Sequence, residues 1–174
     1  MIVALAAFLN LATACAPAVA VETLAAVAQH ESRFDDTAIH DNTAKRAYAP
    51  LTREEALALA TQLIMAQHHS VDLGLMQINS ATLASLGLSI SDAFDDCRNV
   101  AAGARVLAEA YTPPPPGSDT QPRLLQALSR YNTGNPEGGF TNGYVAQVQN
   151  AAEMVVPAIR LNAEARAPAG TPPA

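Results

Sequence analysis

Between residues 22 and 31 the apolar positions Leu24, Val27 and Ala28 are followed by Glu31, completing an i, i+3, i+4, i+7 series. That spacing predicts an amphipathic helix with a carboxylate on its apolar face. Upstream, residues 3–14 are apolar enough for a first helix, which Pro17 would stop. Asp35, Asp36, Asp41 and Asn42 mark a turn-rich stretch, and Tyr48-Ala49-Pro50 reads as extended because proline disfavours helix before it. Thr52 followed by Glu55 is a capping box, predicting a helix to about residue 67 with Leu59, Leu63 and Ala66 inward. Residues 71–78, β-branched at both ends with Gly74 in the middle, suit a short strand or extended loop. Asn79 or Ser80 can cap a helix over 81–86 that Gly87 ends. Further helices are predicted over 98–111, around Leu124, Leu128 and Tyr131, and from 144 to about 160. The tetraproline run within 112–118 must be an exposed connection.

The pattern is mainly α, and composition narrows it further. With 174 residues and 49% hydrophobic positions the chain fits one domain, expected over 1–161, with an Ala/Pro-rich tail over 162–174. Its 37 alanines favour closely packed helices over a sheet. The net charge is −6 and the ten Lys and Arg are scattered, which excludes a nucleic-acid groove. Residues 2–9 could also be the apolar core of a signal peptide, with cleavage-like sites before Cys15 and before Val21. No Lys or Arg precedes that run, and Asn10, Thr13 and Pro17 spoil a membrane span. Signal and first helix both remain open for residues 1–20, although cleavage after Ala20 would remove Cys15 and leave Cys97 unpaired. Those two cysteines cannot form a zinc site alone; they are either one disulfide or two buried thiols.

Glu31 is the most informative residue. A carboxylate on an apolar helix face, close to the negative end of the helix dipole, has two reasons for a raised pKa and can act as a general acid. The bland alternative places it at the edge of the face, paired with Arg33 or a distant arginine. His68-His69 with Asp72 could suggest a metal, yet adjacent helical residues face different ways and no HExxH pattern occurs, so solvated histidines are expected.

Glu31-Ser32, then Gly74-Leu75-Met76-Gln77-Ile78-Asn79, then Tyr131-Asn132 form an ordered three-part signature. Through it the chain resembles the soluble lytic transglycosylase (SLT) family, which has a goose-type lysozyme-like fold. Longer matches run from Cys15-Ala16-Pro17 through Tyr131-Asn132-Thr133-Gly134-Asn135 to Gly139-Phe140-Thr141-Asn142-Gly143-Tyr144-Val145. They are similar to the peptidoglycan-cleaving component of type IV secretion and conjugation systems. The resemblance implies a periplasmic enzyme acting on peptidoglycan glycan strands beside secretion-channel or pilus proteins, without metal or organic cofactor. Glu31 would be its single catalytic acid. Ser32, Met76, Gln77, Tyr131 and Asn132 would bind the saccharide, with the Tyr131 hydroxyl approaching Glu31. The resemblance also pairs Cys15 with Cys97 in a disulfide.

The implied chemistry is cleavage of the β-1,4 bond between N-acetylmuramic acid and N-acetylglucosamine with formation of a 1,6-anhydro end. Two other readings compete with it. Asp35, Asp36 or Asp72 could supply a second carboxylate and make a lysozyme-type hydrolase, although Asp72 is expected to brace the turn at Gly74. A non-catalytic peptidoglycan-binding scaffold would keep the fold without the chemistry, and the tail or the tetraproline loop could serve either role as a docking segment.

Overall fold

The computed structural model describes residues 1–166, with side chains described to Ile159. The predicted first helix is α1, Leu5–Cys15, whose Phe8 and Ala12 are fully buried one turn apart. Helix α2, Val21–Glu31, follows, and five consecutive residues from Leu24 to Ala28 are buried. A helix buried on more than one face is an interior helix, and Ala25, Ala26 and Ala28 are small enough for neighbouring backbones to approach it.

The turn-rich stretch after α2 holds two strands that short-range patterning does not reveal: β1, Ile39–Asp41, and β2, Arg46–Tyr48. They extend the expected strand region, which is itself a hairpin of β3, Val71–Leu73, and β4, Ile78–Asn79. The sheet is antiparallel throughout, in the order β2-β1-β3-β4. Asp41 faces the interior, fully buried, where its carboxylate accepts from the backbone N–H of Thr43 and Ala44, both at 2.9 Å. His69 Nδ1 lies 2.7 Å from Asp41 Oδ2, so this histidine is paired rather than solvated, and its partner is Asp41 rather than Asp72.

Between the hairpins runs α3, Arg53–Thr61. Thr52 Oγ1 accepts from Glu55 N at 3.2 Å, and Glu55 Oε2 in turn accepts from Leu51 N at 2.9 Å. The helix then widens into a π turn over Gln62–Ala66. Ala56, Ala60 and Leu63 face inward with Leu59 partly buried beside them, and the wider turn then changes the angular phase, so that Ala66, expected inside, is exposed.

Helix α4, Leu83–Leu86, is capped by Asn79 through a preceding 3₁₀ turn and closed by Gly87 at φ 72°. Helix α5, Asp96–Ala110, is capped by Asp95 and carries the buried Asn99, Val100, Gly103 and Leu107. Helix α6, Gln121–Thr133, and the short α7, Gly138–Thr141, lead to α8, Tyr144–Arg166. The buried Tyr144, Val145, Val148, Ala151 and Val155 line one stripe of α8, which lies along α2. Of the tail expected from Asn162, the backbone to Arg166 continues α8, and residues 167–174 lie outside the described residues.

Cys15 at the end of α1 is bonded to Cys97 in the first turn of α5, with Cα atoms 5.4 Å apart and a sequence separation of 82. In the loop-entropy picture a closure of this length disfavours the unfolded chain by roughly 4 to 5 kcal/mol. The bond also ties the first helix to the helix that carries Asn99. Among the described residues no helix is long and apolar enough to cross a membrane.

Candidate active site

The turn of the β3–β4 hairpin is anchored by side chains from several elements. Gly74 sits at φ 71°, and a Cβ there would come 2.6 Å from both the Ala93 carbonyl and Asn99 Nδ2. Only glycine satisfies both the left-handed backbone and the close approach. Asn99, buried on α5, donates to the carbonyls of Leu73 at 2.9 Å and Ala93 at 2.8 Å, and its Oδ1 accepts from Met76 N at 2.8 Å. From α6 the Tyr131 hydroxyl donates to the Met76 carbonyl at 2.6 Å, and from the end of α2 Ser32 Oγ donates to the Leu75 carbonyl at 2.8 Å. Gln77, at φ 48°, completes the turn by donating from Nε2 to the carbonyls of Gly74 at 2.8 Å and Ala38 at 3.1 Å.

Against this turn stands Glu31, the last residue of α2, with part of its surface open to a cleft. Its Oε1 accepts a 2.6 Å hydrogen bond from the hydroxyl of Tyr144, the first residue of α8. Burial raises the Glu31 pKa from its ordinary value near 4.5 to about 7; the Tyr144 hydrogen bond pulls it down and the charge of Asp72 adds to the rise. Tyr144 is itself held far above the usual phenol range, by burial first and by Glu31 next, so it remains a donor. His30 is pushed down by burial, and its ring meets the Tyr144 ring edge-on at 4.9 Å.

Two arms of the cleft meet at Glu31. One, of about 360 Å³, is walled by Ser70, Asn79, Thr82, Val106 and Tyr131. The other, of about 600 Å³, is walled by His30, Ser32, Arg33, His40 and Tyr48. Glu31, Asn42, Asp72, Gln77 and Asn132 line both. Asp72 does not brace Gly74; its two oxygens accept from Asn42 Nδ2 and Asn79 Nδ2, each at 2.7 Å. Asp35 lines the wider arm but accepts from the backbone and hydroxyl of Thr37 and, with Asp36, from the amino group of Met1. Among the described residues no three His, Cys, Asp or Glu side chains converge as a metal-binding group.

Of the residues expected at the site, Glu31, Ser32, Gln77, Tyr131 and Asn132 border the cleft. Met76 does not: its side chain is fully buried, in a space that exists because Gly103 on α5 has no side chain, and only its backbone serves the turn. The Tyr131 hydroxyl lies near enough to Glu31 for that charge to add to the burial raising its own pKa, but its hydrogen bond goes to the turn, and the hydroxyl bonded to the carboxylate belongs to Tyr144. Tyr144 lay within a matched segment without a role. The signal that points to it is an aromatic residue opening a helix directly after Gly143, which adopts φ 84°.

A family model described as Transglycosylase SLT domain matches residues 8–153. Protein virB1 of Agrobacterium fabrum is 44% identical over 155 residues, covering 87% of this chain and 62% of that protein. Protein virB1 of Rhizobium radiobacter is 43% identical over 154 residues, covering 88% and 64%. Type IV secretion system protein virB1 of Brucella abortus is 35% identical over 179 residues, covering 95% and 74%. The chain thus spans a little under two thirds of the Agrobacterium and Rhizobium relatives. No solved structure matches it significantly.

Two outcomes follow from the environment of Glu31. Below its unfolded pKa the carboxyl is neutral in both states; as pH rises from about 4.5 to about 7 only the unfolded state ionises, and the folded protein loses stability. Glu31→Gln should therefore match the wild type in urea unfolding at about pH 4 and exceed it by up to about 3 kcal/mol at about pH 8. A variant less stable than wild type at the higher pH contradicts this environment. Tyr144→Phe removes a donor that favours the ionised form, so the Glu31 carboxyl ¹³C resonance should titrate at higher pH than in the wild type; an unchanged or lower midpoint assigns the shift to another cause.

Proposed function

The chain belongs to the transglycosylase SLT domain family, and on that premise we propose that it is a peptidoglycan lytic transglycosylase. It would cut the β-1,4 bond between N-acetylmuramic acid and N-acetylglucosamine and leave a 1,6-anhydro end. The observation that carries this reading is a glutamate with a pKa near 7, held by a tyrosine, at the meeting point of two cleft arms. Such a group is protonated often enough near neutral pH to deliver a proton, and basic enough afterwards to take one back.

In the proposed reaction Glu31 protonates the glycosidic oxygen as the bond to C1 of the muramoyl residue breaks. The substrate's own N-acetyl group stabilises the cationic centre at C1. Glu31, now ionised and still hydrogen-bonded by Tyr144, removes the proton from the muramoyl C6 hydroxyl as that oxygen bonds to C1. One C–O bond is exchanged for another, Glu31 returns to its starting state and no water is consumed. Intramolecular capture of this kind benefits from a high effective molarity. Gln77 and Asn132, shared by both arms, and Ser32 and Tyr131, in one arm each, would position the sugars. Met76 would act only through the backbone that Tyr131 and Asn99 hold.

A lysozyme-type hydrolase would need a second carboxylate, and Asp72 is the acid that shares both arms with Glu31. Both of its oxygens already accept amide hydrogen bonds, which supports a role in raising the Glu31 pKa over one as nucleophile. The name of the Brucella relative, Type IV secretion system protein virB1, supports a place beside a type IV secretion apparatus, opening the wall locally from the periplasm. Residues 1–20 would stay on the working domain, since α1 carries core residues and the Cys15 half of the disulfide.

The test is mass spectrometry of soluble muropeptides released from purified sacculi. The wild type should release products one water lighter than hydrolytic ones, and Glu31→Gln should release none. Hydrated reducing ends would convert the reading to the hydrolase, and sacculus binding without release would convert it to the scaffold.

A further inference from the structure

Asn142 lies in the segment between α7 and α8 and lines neither arm of the cleft. Its place follows from how closely α7 meets α6. A Cβ on Gly139 would come 2.7 Å from Ser129 Cα, and the Gly139 N–H donates to Ser129 Oγ at 2.8 Å. Ser129 Oγ donates in turn to the Asn135 carbonyl at 2.7 Å. Three residues on from each partner, one turn along, the two segments meet again. There Asn142 Nδ2 donates to Asn132 Oδ1 at 2.9 Å.

Hydrogen-bond chemistry fixes which way both amides point. The backbone N–H of Tyr144 can only donate, and Asn142 Oδ1 accepts from it at 3.0 Å, an Asx turn that opens α8. The Asn142 oxygen therefore faces α8 and its nitrogen faces α6. That nitrogen can only donate, so the atom of Asn132 that meets it is the oxygen. Asn132 borders both arms, and its Nδ2 has no partner among the described residues. The other amides on the narrow arm differ: Asn42 and Asn79 give their nitrogens to Asp72, and Gln77 gives its nitrogen to the Gly74 and Ala38 carbonyls. Asn132 is thus the cleft amide whose N–H groups are left for a ligand.

We propose that Asn142 is a positioning residue, which turns the Asn132 amide so that its N–H donors meet the glycan and its carbonyl does not. The inference rests on the transglycosylase reading for its substrate class, an uncharged sugar offering a hydroxyl or carbonyl oxygen. Through its two bonds the same side chain ties the setting of Asn132 to the start of the helix that presents Tyr144 to Glu31.

The test uses the full chain with Asn142→Asp and Asn142→Ser, each alone and combined with Asn132→Ala. Aspartate and serine both keep an acceptor for the Tyr144 N–H, serine more weakly, so the fold is preserved. Aspartate lacks the donor and should turn the Asn132 N–H groups onto itself; serine is too short to reach Asn132. Binding of chitotetraose is titrated, and kcat and KM are measured on peptidoglycan strands. Asn142→Asp should weaken chitotetraose binding about tenfold and Asn142→Ser about threefold, with KM rising by similar factors and kcat changing less. In the Asn132→Ala background neither substitution should weaken binding further. Without ligand, the Asn132 side-chain amide protons should exchange with water more slowly in Asn142→Asp than in the wild type. Unchanged binding in Asn142→Asp, a loss that persists without the Asn132 amide, or equal exchange rates would overturn the proposal. A wild type that cuts no strands, with the Asn142–Asn132 dependence intact, would refute the catalytic reading while supporting this one.

Discussion

The carboxylate of Glu31 is the group whose desolvation the surrounding fold must sustain. It ends a helix whose central five residues are buried, and a water-poor setting raises its pKa to about 7. Keeping a titratable group there costs stability at any pH where it ionises. The compensation is local: α8 packs along α2 and presents Tyr144 to the carboxylate from 113 residues away in sequence. Without that helix pair Glu31 would be an ordinary surface acid.

The same constraint explains the effort spent on the hairpin turn opposite. A proton donor is useful only if the bond it serves is held at a fixed distance. Three elements therefore grip the turn, with Asn99 from α5, Tyr131 from α6 and Ser32 from α2 all bonded to the backbone of residues 73–76. Gly74 and Gly103 make room for this arrangement, one for the backbone and one for the Met76 side chain. The disulfide fixes the start of α5 to α1, so the support extends to the first helix.

What the sequence makes legible is local. The spacing of Leu24, Val27, Ala28 and Glu31 places the acid on a buried face; the box at Thr52 and Glu55 opens α3, and Gly87 closes α4. The β1–β2 hairpin stays hidden because three-residue strands carry too little alternation to detect, and because Asp41 is a polar residue turned inward. Ala66 is misplaced by a π turn that no propensity encodes. Which tyrosine meets Glu31 depends on how α8 crosses α2 and how far α6 stands from the turn, both tertiary quantities. The motif order draws attention to Tyr131, and packing gives the carboxylate to Tyr144. Met76 likewise looks like a lining residue until the gap at Gly103 is seen.

The proposed chemistry has one carboxylate act twice and lets the substrate supply its own nucleophile. The Asp72 charge, held by two asparagines, adds to the burial that keeps Glu31 protonated to higher pH. The most direct measurement of this claim is cleavage of sacculi in water enriched in ¹⁸O, followed by mass analysis of the new glycan ends. Capture by the C6 hydroxyl predicts ends free of ¹⁸O. Incorporation of one ¹⁸O at the new reducing end would contradict it and establish that water is the nucleophile.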